Sequence, residues 1–118
     1  MMFSPKQNLK IHIALGSTDM RKSIDGLSIL VSEKFNLDPF SGHLFVFCNR
    51  KQTILKILYW DRNGFCLWHK RLEKDRFQWP RSKDAVMTIG AHELAWLIDG
   101  LSIHQKKAYK PLRFTSVF

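Results

Sequence analysis

Polar and apolar residues alternate from position 10 to position 15, which is typical of a half-buried β-strand. Gly16 ends this segment, and the hydroxyl and carboxylate side chains of residues 17–19 are good helix caps. Further apolar residues recur at intervals of three and four positions and predict a helix with one apolar face: Met20, Ile24, Leu27, Val31 and Phe35. Because residues 38–42 contain both proline and glycine, we expect a turn there.

From position 43 the chain is rich in β-branched and aromatic residues, which favour strands. We predict strands at residues 43–49, 53–61, 65–71 and 76–79. The connections at residues 50–52 and 62–64 are short, and Asn63-Gly64 supplies the left-handed conformations that close a hairpin. These strands should therefore form an antiparallel meander.

The C-terminal part of the chain predicts one more strand and a short helix. Residues 86–89 fit the strand, and an amphipathic helix that Gly100 stops is marked by Leu94, Leu97, Ile98 and Leu101. Residues 104–118 carry four cations and no acid, so we expect a basic tail that is mobile in isolation. The length of residues 1–118 suits a single domain. We therefore predict an α+β fold, one compact domain with an antiparallel β-meander of about four to six strands and two packed helices.

Composition argues against several classes of protein. Hydrophobic residues make up 45% and charged residues 25% of the chain, as in globular domains rather than disordered chains. The longest apolar stretches, residues 44–48 and 94–98, fall far short of the roughly 18 residues that span a bilayer. The first ten residues hold no apolar core of a secretory signal, so we expect a cytoplasmic protein without membrane partners. Cys48 and Cys66 are too few for a disulfide framework or a zinc site.

Charge is distributed unevenly along the chain. Its 19 basic and 10 acidic residues give a net charge of +9. Residues 50–83 alone hold ten Lys or Arg against Asp61, Glu73 and Asp75, a net +7. A local excess of positive charge attracts polyanions, of which nucleic acid is the commonest. The alternative is a basic protein whose charges only keep it soluble.

Arg21 and Lys22 fall in the first turn of the predicted first helix, where the partial positive charge of the unpaired amides disfavours a cation. In one interpretation, Arg21 pairs with Asp25 while Asp19 caps the helix. In the other, the amides and both cations converge on a bound phosphate.

The hairpin around residues 62–64 offers a second candidate surface. A three-residue loop would set Lys56 opposite Lys70, where like charges repel, and would place Trp60 and Trp68 on the same face. Such a face resembles a basic groove with aromatic platforms for nucleic acid. Replacing both lysines with alanine should then lower DNA affinity without loss of stability. Alternatively, a four-residue loop shifts the register, or the tryptophans are core and the lysines extend outward at the strand ends.

Cations in the predicted turns complete the candidate interface, because loop cations reach outward at little cost in stability. The candidate nucleic-acid-binding residues are Arg21, Lys22, Arg50, Lys51, Lys56, Arg62, Lys70, Arg71, Arg76 and Arg81, with Trp60 and Trp68 as an aromatic platform.

Catalytic patterns are missing from the sequence. Phosphodiester cleavage by two metals needs converging carboxylates, and the four candidates are Asp19, Asp61, Glu93 and Asp99. Asp19 is expected to cap a helix, and the last two lie six residues apart on different faces of a helix. The histidines lack paired-ligand spacing, and no Walker or Rossmann glycine pattern occurs. We therefore predict a protein that is not an enzyme and uses no metal or cofactor.

Three long strings of residues carry a family resemblance. Residues 16–22 (GSTDMRK), 38–47 (DPFSGHLFVF) and 56–80 (KILYWDRNGFCLWHKRLEKDRFQWP) resemble the small TnpB accessory proteins of bacterial insertion sequence family sixty-six. The resemblance extends from about residue 15 to residue 101, and it departs from the family at Gly90, where a hydroxyl helix cap is usual, and in the tail beyond Ile103. It implies a protein that assists DNA transposition beside a separate, larger transposase that bears the catalytic carboxylates.

Two functions follow as hypotheses. In the first, the protein is a non-catalytic transposition factor whose partner is DNA, either the element ends or DNA of any sequence. In the second, it is an interaction module that docks the transposase through Trp96 or the acidic second helix without touching DNA.

Overall fold

The computed structural model describes residues 9–82 and 84–104. In these residues the order of elements is β1 (Ile11–Ala14), α1 (Ile24–Glu33), β2 (Leu44–Cys48), β3 (Ile54–Asp61), β4 (Gly64–Arg71), β5 (Val86–Ile89) and α2 (Ala91–Ile98). One five-stranded mixed sheet carries both helices, which confirms the predicted single compact α+β domain. The predicted tail lies outside the described residues from position 105 onward. Neither described helix is long and apolar enough to cross a membrane.

Strand order in the sheet is β4-β3-β2-β1-β5. The antiparallel meander predicted from position 43 is confirmed for β2, β3 and β4. β1 instead pairs in parallel with β2, and β5 runs antiparallel to β1. The reason for the parallel pair is that α1 carries the chain across the sheet between β1 and β2, so both strands start at the same end.

Each face of the sheet is covered by one helix. On the α1 face the buried core consists of Ala14, Leu27, Val31, Phe45, Phe47 and Leu58. On the α2 face, Leu94 and Leu97 of the helix pack with alternate residues of β1, β2 and β3, and with Phe77 and Trp79. β1 and β2 are therefore buried on both sides, which explains why they are almost entirely apolar.

The first helix begins later than predicted. α1 starts at Ile24 after the N-cap position Ser23, whereas residues 19–22 form a turn in which the Lys22 N–H donates to the Asp19 carbonyl. The Asp19 carboxylate accepts the backbone N–H of Arg21 at 2.9 Å instead of capping a helix. Arg21 and Lys22 are thus outside α1, and the expected pair of Arg21 with Asp25 is replaced by a pair with Asp19.

Residues 76–79 do not form the predicted strand. Asp75 has a φ of +65°, which turns the chain away from the line of β4. Only the N–H of Phe77 then reaches the neighbouring turn, donating to the Gln52 carbonyl at 2.7 Å, and the Trp79 N–H donates back to Phe77. Phe77 and Trp79, the aromatic residues that suggested a strand, are buried although the segment that carries them is irregular.

The β3–β4 register differs by one residue from the predicted one. The loop contains only Arg62 and Asn63, so Asp61 pairs with Gly64. The positive φ, +51°, belongs to Arg62 rather than to the Asn-Gly pair. A one-residue shift exchanges the faces of one strand relative to the other.

This register separates the residues that the sequence placed on a common face. Lys56 pairs with His69, and Leu55 pairs with Lys70. Lys56 and Trp60 therefore face α1, while Lys70 and Trp68 face α2, and the predicted groove of paired lysines and tryptophans is wrong.

The second helix agrees with the prediction. α2 follows Gly90, whose N–H donates to the Glu93 carboxylate at 2.7 Å, so a side chain in the first turn pairs the amide at a position without a hydroxyl cap. Gly100 ends the helix with a φ of +83°, a conformation that glycine adopts without strain.

Candidate nucleic-acid interface

The sheet topology gathers three connections at one end. Ala14 at the end of β1 pairs with Val86 at the start of β5. Ile54 at the start of β3 pairs with Arg71 at the end of β4, and β2 also ends beside the start of β3. The connections 15–22 and 49–53, and the described residues between β4 and β5 (72–82 and 84–85), therefore lie at this end, with the strand ends that they join. We call it the basic end.

Seven of the ten candidate cations lie at the basic end. They are Arg21, Lys22, Arg50, Lys51, Arg71, Arg76 and Arg81, and all are exposed. They come from four separate parts of the chain: the loop before α1, the β2–β3 turn, the end of β4 and the irregular segment after it. The fold thus collects on one end cations that are up to 60 positions apart in sequence.

Two of these cations have an acid of their own. The Arg21 guanidinium lies 2.7 Å from the Asp19 carboxylate, and its hydrogen bonds lower the pKa of Asp19 to about 2. Arg71 lies 2.9 Å from Glu73. In residues 9–82 and 84–104 these are the only ion pairs, so Lys22, and the cations of the β2–β3 turn, keep their charge available.

Three clefts lined by described residues open at the basic end, and they differ in charge. The smallest, about 280 Å³, is lined by Leu15, Gly16, Ser17, Asn49, Arg50, Gln52, Trp79, Arg81 and Ser82, and we call it the acid-free cleft. A second, about 510 Å³, holds Lys22 and Lys34 but also Asp19 and Asp84. A third, about 540 Å³, holds Lys74 and Arg76 but also Asp75 and Asp99. Gly16, Ser17 and Ser82 line both of the first two, which are therefore adjacent.

Lys56 and Lys70 belong to the packing between sheet and helices. Lys56 is only 7% exposed, and its Nζ donates to the carbonyls of Met20 at 3.0 Å and Lys22 at 3.1 Å. The Lys70 Nζ donates to the Ile98 carbonyl at 2.8 Å. Both ammonium groups are engaged with backbone oxygens, which explains how the fold accommodates them.

The remaining candidates lie elsewhere. Arg62 is in the β3–β4 loop at the opposite end of the sheet. Trp60 contacts Phe40 and Phe65 there, with ring centroids 5.0–5.1 Å from its own, whereas Trp68 packs against the α2-side core. Trp60 and Trp68 therefore do not form a shared platform.

Two polar contributors were missed in the sequence. Lys34 follows α1 and lines a cleft beside Lys22, and Ser82 lines two of the three clefts. Lys34 was missed because basic and acidic residues are nearly equal in number in residues 1–49, so that segment was not identified as basic. No sequence signal distinguishes Ser82 from other loop serines.

The geometry offers no assembled metal centre in the described part of the chain, where no three His, Cys, Asp or Glu side chains are grouped to hold an ion. Asp19 is engaged with Arg21, and Asp61 lies at the far end of the sheet from it.

Comparison with known proteins gives a consistent result. Residues 9–108 match the family model described as IS66 Orf2 like protein. The uncharacterized protein y4hO of Sinorhizobium fredii is 35% identical over 113 residues, which cover 95% of this chain and 98% of that protein. The uncharacterized protein y4jC of the same organism is 33% identical over 112 residues, 95% of each. No solved structure matches the chain.

Proposed function

The chain belongs to the IS66 Orf2-like family. From this membership, together with the cations collected at the basic end, we propose that it is a non-catalytic accessory protein of transposition that binds DNA through that end. The membership confirms the resemblance found in the sequence strings. It indicates an accessory role in transposition, and the proposal adds the ligand and the surface that contacts it.

The observation that carries the proposal is the collection of cations from four parts of the chain at one end of the sheet, most of them without a paired acid in the described residues. Neutralising DNA phosphates releases counterions, and this release drives binding irrespective of sequence. Among residues 9–82 and 84–104, the cations Lys10 and Arg62 lie toward the opposite end, beside the acids Asp38 and Asp61. In the described residues of the basic end, eight Lys and Arg side chains outnumber the four acids Asp19, Glu73, Asp75 and Asp84. The proposal assigns this excess of positive charge to DNA.

Hydrogen bonds hold the basic end in shape before any ligand arrives. The Asn49 carboxamide accepts the N–H groups of Thr53 at 2.8 Å and Ile54 at 2.9 Å, which fixes the turn that carries two cations. The same turn is tied to the following segment through the Phe77 N–H. A preformed cationic surface loses less conformational entropy on binding.

A salt titration tests the proposal. Labelled duplex DNA from an element end, and an unrelated duplex, are titrated with the protein at several salt concentrations. We expect both to bind at low salt, with log K falling by about 0.9 per neutralised phosphate for each unit of log salt concentration. Absence of binding at low salt would overturn the proposal.

Charge-matched variants locate the surface. Lys22→Gln with Lys51→Gln removes two charges from the basic end, and Lys10→Gln with Arg62→Gln removes two from the opposite end. We expect the first double variant to lower the magnitude of the salt slope by about 1.8, and the second to change it little. Equal losses in both would show that binding follows net charge rather than this surface.

A second candidate function is docking of the transposase. Phe40, Trp60 and Phe65 form an aromatic patch at the end opposite the basic end, and the Phe40 side chain is 57% exposed. Exposed aromatic rings are enriched at protein interfaces. Trp96, suggested by the sequence, is half-buried in α2 beside His92. The patch is therefore the better docking candidate.

A pull-down with the transposase after nuclease treatment tests this function. Direct docking should persist without DNA and should weaken in Phe40→Ser. Ile29→Ser is the matched control, because Ile29 is an apolar residue of similar exposure, 59%, that belongs to α1 and not to the patch. Loss of the complex on nuclease treatment would mean that DNA bridges the two proteins.

A further inference from the structure

We propose, resting on the DNA-binding function above, that the acid-free cleft holds one phosphate of the DNA backbone. The cleft opens where the parallel strands β1 and β2 end, with the irregular segment after β4 forming its third wall. Its residues come from three connections that are brought together only by folding.

Charge distinguishes this cleft from its neighbours. Its described lining contains Arg50 and Arg81 and no Asp or Glu, whereas each of the other two clefts contains two aspartates. Neither arginine has an ion pair among the described residues. Arginine binds phosphate through parallel, charge-assisted hydrogen bonds, so two arginines without an ion pair, lining one cleft from separate segments, suit a phosphate.

Gly16 supplies an independent observation. Its φ is not in the left-handed region, and a Cβ added there would meet no atom within 4 Å. Neither backbone strain nor packing therefore requires glycine at this position. In the described part of the chain, the N–H groups of Gly16 and Ser17 make no hydrogen bond, and the missing side chain leaves them open to a ligand. Adjacent free amides are a common element of anion sites.

Ser82 adds a hydroxyl donor. Its Oγ accepts the N–H of Asp84 at 3.2 Å, and a serine that accepts through Oγ still has its proton to donate. The wall behind it is fixed, because Trp79 Nε1 donates to the Ala14 carbonyl at 3.0 Å. The residues that line the cleft thus offer two cations, two amides without a hydrogen bond in the described chain and a hydroxyl, the groups that recognise a phosphate oxygen.

Inorganic phosphate is the first probe. Two-dimensional ¹H–¹⁵N spectra of the full chain are recorded while phosphate replaces chloride at constant ionic strength. We expect saturable shifts of the Gly16 and Ser17 amide signals, which Arg50→Gln with Arg81→Gln abolishes. Shifts that do not saturate, or that persist in the double variant, would overturn the proposal.

DNA binding is the second measurement. The double variant Arg50→Gln with Arg81→Gln should lose at least tenfold more affinity for duplex DNA than Lys22→Gln with Lys51→Gln, which removes the same charge outside the cleft. Gly16→Ala should also weaken DNA binding, because the added Cβ lies beside the amides while no atom within 4 Å of it would disturb the fold.

The two measurements separate the two proposals. If DNA binds but both double variants lose affinity equally, the phosphate cleft is wrong and the basic end still stands. If no DNA binds while phosphate shifts the Gly16 and Ser17 signals, the DNA-binding function is wrong, and with it the assignment of the cleft to a DNA phosphate.

Discussion

Lys56 and Lys70 lie on opposite faces of the β3–β4 hairpin, and each donates to backbone carbonyls that belong to a different helix region. Lys56 binds the Met20 and Lys22 carbonyls just before α1, and Lys70 binds the Ile98 carbonyl at the end of α2. Each lysine therefore ties one helical layer to the sheet. The earlier expectation that replacing both would leave stability intact assumed that they repel each other across one face.

Removal of the Lys56 ammonium should destabilise the fold. Lys56→Met keeps most of the apolar stem but leaves two carbonyls without their donor, so we expect the free energy of unfolding to fall by about 1–3 kcal/mol. Lys70→Met should cost less, about 0.5–1.5 kcal/mol, because water can reach this half-buried site. Urea denaturation measures both. Lys51→Met, in an exposed turn, is the control, and an equal loss there would contradict the assignment.

Release of Arg21 should strengthen DNA binding. Asp19→Asn keeps an oxygen that can accept the Arg21 N–H but removes the negative charge that engages the guanidinium. We expect a several-fold increase in affinity for duplex DNA at low salt, since one more cation becomes available. Asp61→Asn makes the same charge change at the opposite end of the sheet. An equal increase in that variant would show that only net charge matters.

Acidification should destabilise the protein through His12. Burial, followed by the nearby charges of His43 and Lys10, lowers the pKa of His12 below its ordinary value of 6.5. Below pH 6.5 the unfolded chain therefore binds a proton more readily than the folded one, and the free energy of unfolding falls as the pH decreases.

Urea titrations at pH 7.5 and 5.5 measure this loss. His12→Asn, which cannot titrate but keeps a polar group near Thr88, should lose less stability between the two pH values than the wild-type chain. If both chains lose the same amount, His12 is not the titrating group.

The two cysteines should react at very different rates. Cys48 is fully buried in β2, and burial raises the pKa of its thiol to about 12, so little nucleophilic thiolate forms. Cys66 is partly exposed in β4. We expect a thiol reagent to modify Cys66 in the native protein and Cys48 only after unfolding, as mass spectrometry of the digested protein would show. Rapid native labelling of Cys48 would contradict its burial.

Elements whose apolar residues recur at a regular spacing could be predicted from the sequence. Features that depend on contacts between distant parts of the chain could not. The apolar spacing located α1 and α2 because one helix face is buried in each case. The start of α1 was placed too early because Asp19, a good cap by residue type, is instead engaged with Arg21. The sequence shows that Asp19 can accept a hydrogen bond, but it does not show whether the donor is a helix amide or a nearby arginine.

The register between β3 and β4 had the largest effect on the predicted site. The sequence around Arg62 predicted a loop of three residues, with four as the alternative, whereas the loop has two. The difference of one residue from the three-residue loop moves Lys56 and Lys70 from a shared face to opposite faces. The cations of the connections did not depend on that difference, because a turn stays at its end of the sheet in either register. This is why the charge density of residues 50–83 indicated much of the basic end, whereas the expected pairing of Lys56 with Lys70 was wrong.

The position of β1 inside the sheet has a consequence for biosynthesis. Ile11 pairs with Leu44 on one side and with Ile89 on the other, so the first strand must wait for residues 33 and 78 positions later. During synthesis, β1 therefore cannot form all of its backbone hydrogen bonds until residue 89 has left the ribosome. The complete sheet should therefore form late. Fragments that end before β5 leave one edge of β1 unpaired, and we expect cellular proteases to degrade them faster than the full chain.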